Sequence, residues 1–155
     1  MKKTVLLVLW CTSFLLPVTG DAQMGPGRGP GMMGGGGPSP RHFYVMHQGL
    51  DAKYASLRNP LKPTAAILAA GKALFDENCA VCHGAAGRGD GPGAKGLDPA
   101  PAVLAGLSRM PIASDGFYFW TISEGGIQFQ GAMPPFQGTF KDEDIWKIVL
   151  FLRTL

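Results

Sequence analysis

The sequence predicts an all-α fold. Two observations carry this: three stretches place apolar residues at helical spacing behind capping residues, and the segments between them are rich in glycine and proline. A chain of 155 residues, 46% of them hydrophobic, has the length of about one domain. The net charge of +3 predicts no nucleic-acid partner.

Residues 1–22 have the layout of a secretory signal peptide. Lys2 and Lys3 open it, an apolar run extends from Val5 to Val18, and small residues stand at Gly20 and Ala22. Cleavage is expected after residue 20 or 22. The run is too short for a transmembrane helix and carries Pro17, so no membrane anchor is expected after cleavage. Cys11 does not mark a lipoprotein, because Trp10 stands where a small residue should precede it. The protein is therefore expected to be periplasmic or otherwise exported, with Cys79 and Cys82 as its only remaining cysteines.

Residues 23–40, including "GPGRGPGMMGGGGPSP", have almost nothing to bury and are expected to be a disordered tether. Its methionines lack a repeated Met-x-x-Met pattern, so they are read as incidental rather than as a copper site. Residues 41–63 carry aromatics and prolines without sustained periodicity and are expected to lie over the domain as an extended arm.

The domain itself is placed at 64–155. Thr64 caps a first helix with Ile67, Gly71, Leu74 and Phe75 on one face. Residues 84–111 are mostly loop. Asp115 is expected to cap a helix carrying Phe117, Trp120 and Ile122, ended by Gly125 and Gly126. Residues 125–138 form a further loop. Thr139 and Asp142 fit a capping box for a last helix, "DEDIWKIVLFLRTL".

The first helix ends on "ENCAVCHG", where Cys79 and Cys82 are followed directly by His83. Three chemistries read these letters differently. For zinc, His42 and His47 would have to join the two cysteines, which leaves His83 idle. For a thioredoxin-like disulfide, the cysteines should open a helix after a strand, whereas here a helix precedes them. For haem c, cysteines one helical turn apart form thioethers with the two vinyl groups, and the adjacent His83 reaches the iron. The haem reading uses all three residues and is preferred.

A low-spin carrier takes a second strong axial ligand, and a methionine thioether raises its potential. Downstream of His83 the choice is Met110 or Met133. Met133, in "GAMPPF", follows the Trp120 helix and sits before the stiff Pro134–Pro135 pair, so the chain has the length to wrap the ring; Met110 comes before that helix. Met133 is preferred as the sixth ligand.

Residues 64–155 resemble a bacterial class I c-type cytochrome of the exported, monohaem, His/Met-ligated kind. The resemblance rests on "GKALFDENCAVCHG", "GRGDGPGAKGLDPAPA", "DGFYFWTISEGG", "GAMPPF" and "DIWKIVLFLRTL". It implies a small fold of three to five helices around one covalently bound haem, preceded here by the flexible N-terminal arm. It also implies that the first and last helices cross beside the haem, Gly71 and Phe75 meeting Ile148 and Phe151, with Trp146 and Leu152 nearby. It further implies a proline carbonyl, Pro99 or Pro101, accepting the Nδ1 hydrogen of His83. Trp120 or Arg88 is a candidate donor to a haem propionate.

The function implied is periplasmic electron transfer, the iron cycling between Fe(II) and Fe(III), with redox protein partners meeting an exposed haem edge. The protein would be a mobile carrier or the cytochrome subunit of a larger respiratory or dehydrogenase complex, and not itself an enzyme. The alternative is a haem enzyme or gas sensor in which Met133 leaves the sixth iron position open.

Overall fold

In the computed structural model, which describes residues 39–155, the chain forms α1 (Pro40–Gln48), α2 (Ala52–Ala55), α3 (Ala65–Asn78), α4 (Ala80–His83), α5 (Asp115–Glu124) and α6 (Asp142–Leu152). Among the described residues there is no strand, so the fold is all-α as expected. Four of the helices, α3 to α6, belong to the segment expected as the domain. The expected signal peptide and residues 23–38 of the expected tether lie outside the described residues.

The α3–α6 crossing is the centre of the core. Thr64 caps α3 by accepting the Ile67 N–H at 3.3 Å, and the apolar face behind it carries Phe75 against α6. Phe75 and Ile148 are both fully buried (0% exposed), and the Phe75 and Phe151 rings sit 5.2 Å apart. Gly71 lies directly on the α6 backbone. A Cβ there would collide with the Lys147 carbonyl oxygen and come within 3.2 Å of the Phe151 Cβ. Of the expected partners Phe151 meets both Gly71 and Phe75, whereas the closest approach to Gly71 is by the Lys147 backbone, which was not among them.

Two helix starts differ from expectation. Ser114, not Asp115, caps α5, its hydroxyl accepting the Phe117 N–H at 3.1 Å. Asp115 instead takes the first helical position and ties three segments together. Its carboxylate accepts the Asn59 backbone N–H at 2.8 Å and Arg153 Nε–H at 3.1 Å. At α6, Thr139 and Asp142 form no capping box. Lys141 holds the cap position without a side-chain bond, and Asp142, Glu143 and Asp144 fill the first turn, where carboxylates meet the positive end of the helix dipole.

Burial by itself would raise the Asp115 pKa, but the Asn59 N–H and the Arg153 guanidinium outweigh it and hold the carboxyl below its ordinary range. A carboxylate whose pKa falls on folding stabilises the native state fully above its unfolded pKa and loses that contribution as pH drops through the folded value. Asp115→Asn should therefore cost about 1.5–3 kcal/mol at neutral pH, the usual worth of hydrogen bonds to a charged group. The gap in denaturation midpoint from wild type should narrow in acid. A gap that stays constant from neutral to acid pH would show that the charge of Asp115 is not what holds these segments.

The segment 41–63 is not extended. Ser39 caps α1 by accepting the His42 N–H at 3.2 Å and Pro40 takes the first turn, so the last two residues of the stretch expected as tether start a helix. The arm docks onto α5 and α6 by specific bonds: Tyr54 Oη–H donates to Glu124, and Asn59 Nδ2–H donates to the Trp146 carbonyl at 2.9 Å. Short helices without an apolar stripe are marginal alone, and tertiary contacts of this kind stabilise them.

Candidate functional site

Between α3, α4, α5 and the loops that follow α4 and α5 lies a cavity of about 1070 Å³, at the upper end of small-molecule and cofactor clefts. Cys79, Cys82, His83 and Met133 all line it, as does Met110. Phe75, Phe117, Ile122, Phe136, Ile148 and Leu152 give it a largely apolar wall.

Cys79 ends α3, accepting Cys82 N–H at 3.1 Å and His83 N–H at 2.9 Å, so the single turn of α4 carries both thiols and the imidazole to the same cavity. Burial, with Cys82 beside it, pushes the Cys79 thiol up to about 11. A thiol so shifted is a poor thiolate nucleophile, which disfavours the disulfide-exchange reading.

His83 Nδ1 lies 3.0 Å from the Ala102 carbonyl oxygen. A carbonyl only accepts, so Nδ1 carries the hydrogen and Nε2 keeps its lone pair. Burial lowers the His83 pKa, although the bond to Ala102 opposes it, and the neutral imidazole is the form a metal takes. The expected acceptors were Pro99 or Pro101. The Pro101 oxygen is instead turned against Gly89, 2.7 Å from where a Cβ would stand, and the following carbonyl, of Ala102, faces the imidazole.

Met133 is half-buried and its loop is fastened to the end of α5. Gly126 N–H donates to the Met133 carbonyl at 2.8 Å, Phe136 N–H to Ile122 at 3.1 Å and Gln137 N–H to Ser123 at 3.1 Å. Gly125 closes the helix at φ +66, and a Cβ there would stand 2.5 Å from the Pro135 nitrogen, so only glycine lets the Pro134–Pro135 pair pack this close. Met110 also faces the cavity but is 41% exposed.

Of the candidate propionate donors, Arg88 lines the cavity from an exposed loop position. Trp120 does not line it; its ring packs against Phe117 at 6.2 Å and Phe129 at 5.9 Å. Of the residues of the zinc reading, His42 lines the cavity with Cys79 and Cys82, but His47 stacks on Phe43 at 4.1 Å on an exposed part of α1. Among the described residues no three His, Cys, Asp or Glu side chains converge on an ion.

Sequence reasoning missed three polar groups in the cavity wall: Arg41, Tyr118 and Thr121. Arg41 Nη1, Tyr118 Oη and Thr121 Oγ1 are buried without a hydrogen-bond partner among the described residues. Adjacent thiols, a free imidazole nitrogen, a thioether, an apolar wall and unpaired donors fit a haem c, whose ring is apolar and whose propionates accept hydrogen bonds. The start of α1 was legible, since Ser39-Pro40 is a helix-start pair, but nothing local signals that Arg41 turns into the cavity wall.

Comparison with known proteins gives the same answer. The sequence model of the family described as cytochrome c matches residues 68–155, more than half of the chain. Among solved structures, a chain of the Kuenenia stuttgartiensis reducing HAO-like protein complex is 27% identical over 61% of this chain, with a TM-score of 0.47. This chain spans 46% of the length of that one. Cytochrome CL from the marine methylotrophic bacterium Methylophaga aminisulfidivorans is 19% identical, covers 79% of this chain and 72% of its own, and has a TM-score of 0.44. No curated protein matches. With its helical fold, its Cys-x-x-Cys-His turn on an apolar cavity and this family match, the chain belongs to the cytochrome c family, whose work is electron transfer through covalently bound haem.

Proposed function

We propose that the protein is an exported monohaem electron carrier, acting as a mobile carrier or as the non-catalytic cytochrome subunit of a larger respiratory or dehydrogenase complex. In this reading Cys79 and Cys82 would form the thioethers, and His83 and Met133 would bind the iron. The observation that carries it is that Met133, from the loop after α5, lines the same largely apolar cavity as the Cys79, Cys82 and His83 turn.

When bound, the haem supplies one-electron chemistry, its iron cycling between Fe(II) and Fe(III). The protein's part is to hold, exclude and present. The Ala102 carbonyl fixes the His83 ring and raises its basicity through Nδ1–H. Phe75, Phe136 and Ile148 keep water from the cavity floor. The hydrogen bonds of Gly126, Phe136 and Gln137 hold the Met133 loop in place, so the thioether is offered without rearrangement. At the rim, Val103 (54% exposed) and Met110 (41%) face solvent beside the cavity, with Val81 (53%) on the α4 turn. Exposed apolar side chains around a cofactor edge suit the small, transient contacts of redox partners.

Met133→Ala should abolish the weak near-infrared band of the oxidised wild type, open the iron to carbon monoxide, and lower the potential by a sizeable part of the roughly 0.8 V that axial ligands command. Met110→Ala should leave all three nearly unchanged. Ready carbon monoxide binding by the wild type, or a larger change in Met110→Ala, would reject Met133 and favour the open-site enzyme or sensor.

A further inference from the structure

Arg41 is 8% exposed, among the few buried polar side chains of the described residues, and it comes from α1, which precedes the residues that match the family. Its guanidinium lies 4.3 Å from the Trp120 ring centre and 4.7 Å from that of Phe129, and Nη2–H donates to the Gly125 carbonyl. α1 is itself held in place: Tyr44 packs at 5.5 Å on Phe129 and 6.1 Å on Trp120, and Val45 packs on the core. The arginine is therefore fixed, with Nη1 buried and unpartnered among the described residues, and the side chain in the cavity wall.

A buried guanidinium without an anion is costly. Glu124 is the carboxylate whose charge reaches Arg41, but its hydrogen bonds are to Tyr54 and Lys53, and none goes to Arg41. Arginine offers only donors, and its planar fork suits a carboxylate. The remaining unpartnered groups on the same cavity, Tyr118 Oη–H and Thr121 Oγ1–H, can donate as well. Such a set of donors on an apolar cavity calls for a carboxylate carried on an apolar body.

We propose that Arg41 Nη1–H donates to a haem propionate, which makes α1 a built wall of the cofactor site rather than an extended arm lying over the domain. This rests on the haem reading above and deepens it.

The test uses the full-length holoprotein as wild type, Arg41→Gln, Arg41→Lys and Arg88→Gln. Arg41→Gln should shift the propionate bending mode in the resonance Raman spectrum and lower the reduction potential, because a buried positive charge favours the less positive, reduced haem. Arg41→Lys should shift the mode while keeping most of the potential, and it serves should the glutamine variant fold poorly. Arg88→Gln should leave the mode in place. An unmoved propionate mode in both Arg41 variants, or a shift in Arg88→Gln alone, would overturn the proposal and leave the haem reading standing. A wild type without haem would overturn both.

Discussion

Replacing Cys79 or Cys82 with alanine should remove nearly all haem-loaded protein, and the double replacement all of it. The thiols stand one turn apart beside His83, so the same short helix that delivers the imidazole also delivers both attachment points. Without thioethers, the cofactor would be held only by axial bonds and apolar contact. The fold has much at stake in that attachment, because the 1070 Å³ cavity borders Phe75 and Ile148, the centre of the α3–α6 crossing. Apolar side chains facing water in place of a ring forfeit about 25 cal/mol for every Å² left uncovered. Visible absorbance of the exported fraction, set against total polypeptide, checks the expectation. Normal yields of red protein from the double variant would show that the cysteines do not attach the haem.

Gly71→Val should destabilise the fold by about 1–3 kcal/mol, the usual cost of overpacking, and towards the top of that range. The new side chain would meet the Lys147 carbonyl, which is backbone and cannot swing away, so the helices themselves must separate. Separation would loosen Phe75 against Ile148 and Phe151, all buried. Against a total stability of about 5–15 kcal/mol, such a loss is large. Ala69→Val, on the exposed face of α3, is the control and should stay within about 0.5 kcal/mol of wild type. Equal denaturation midpoints for the two variants would remove Gly71 from the crossing.

The parts of the fold legible in the sequence are those where one strong local cause acts. Thr64 caps α3 because its hydroxyl has an N–H to satisfy, and Gly125 ends α5 because the chain must turn with positive φ. The Gly71 contact came with the family resemblance, and a close helix approach leaves room for little else. That Cys79, Cys82 and His83 share one cavity was readable because Cys-x-x-Cys-His places three side chains within one helical turn.

What escaped depends on contacts between distant segments. α1 buries an arginine rather than an apolar stripe, so no periodicity announces it, and its partners Trp120, Gly125 and Phe129 lie far along the chain. The choice of Ala102 over the neighbouring prolines turns on which carbonyl the loop rotates inward, and composition does not encode that rotation. Asp115 reads locally as a cap, yet its carboxylate is drawn off by Asn59 and Arg153, and Ser114 is left to cap the helix.

The most direct test of the central claim is the intact mass of the exported protein under denaturing, metal-chelating conditions. A chain that holds one haem through Cys79 and Cys82 should keep the mass of one haem above the processed polypeptide, together with its colour. The bare polypeptide mass would contradict it, as would a mass lowered by the two hydrogens of a Cys79–Cys82 disulfide.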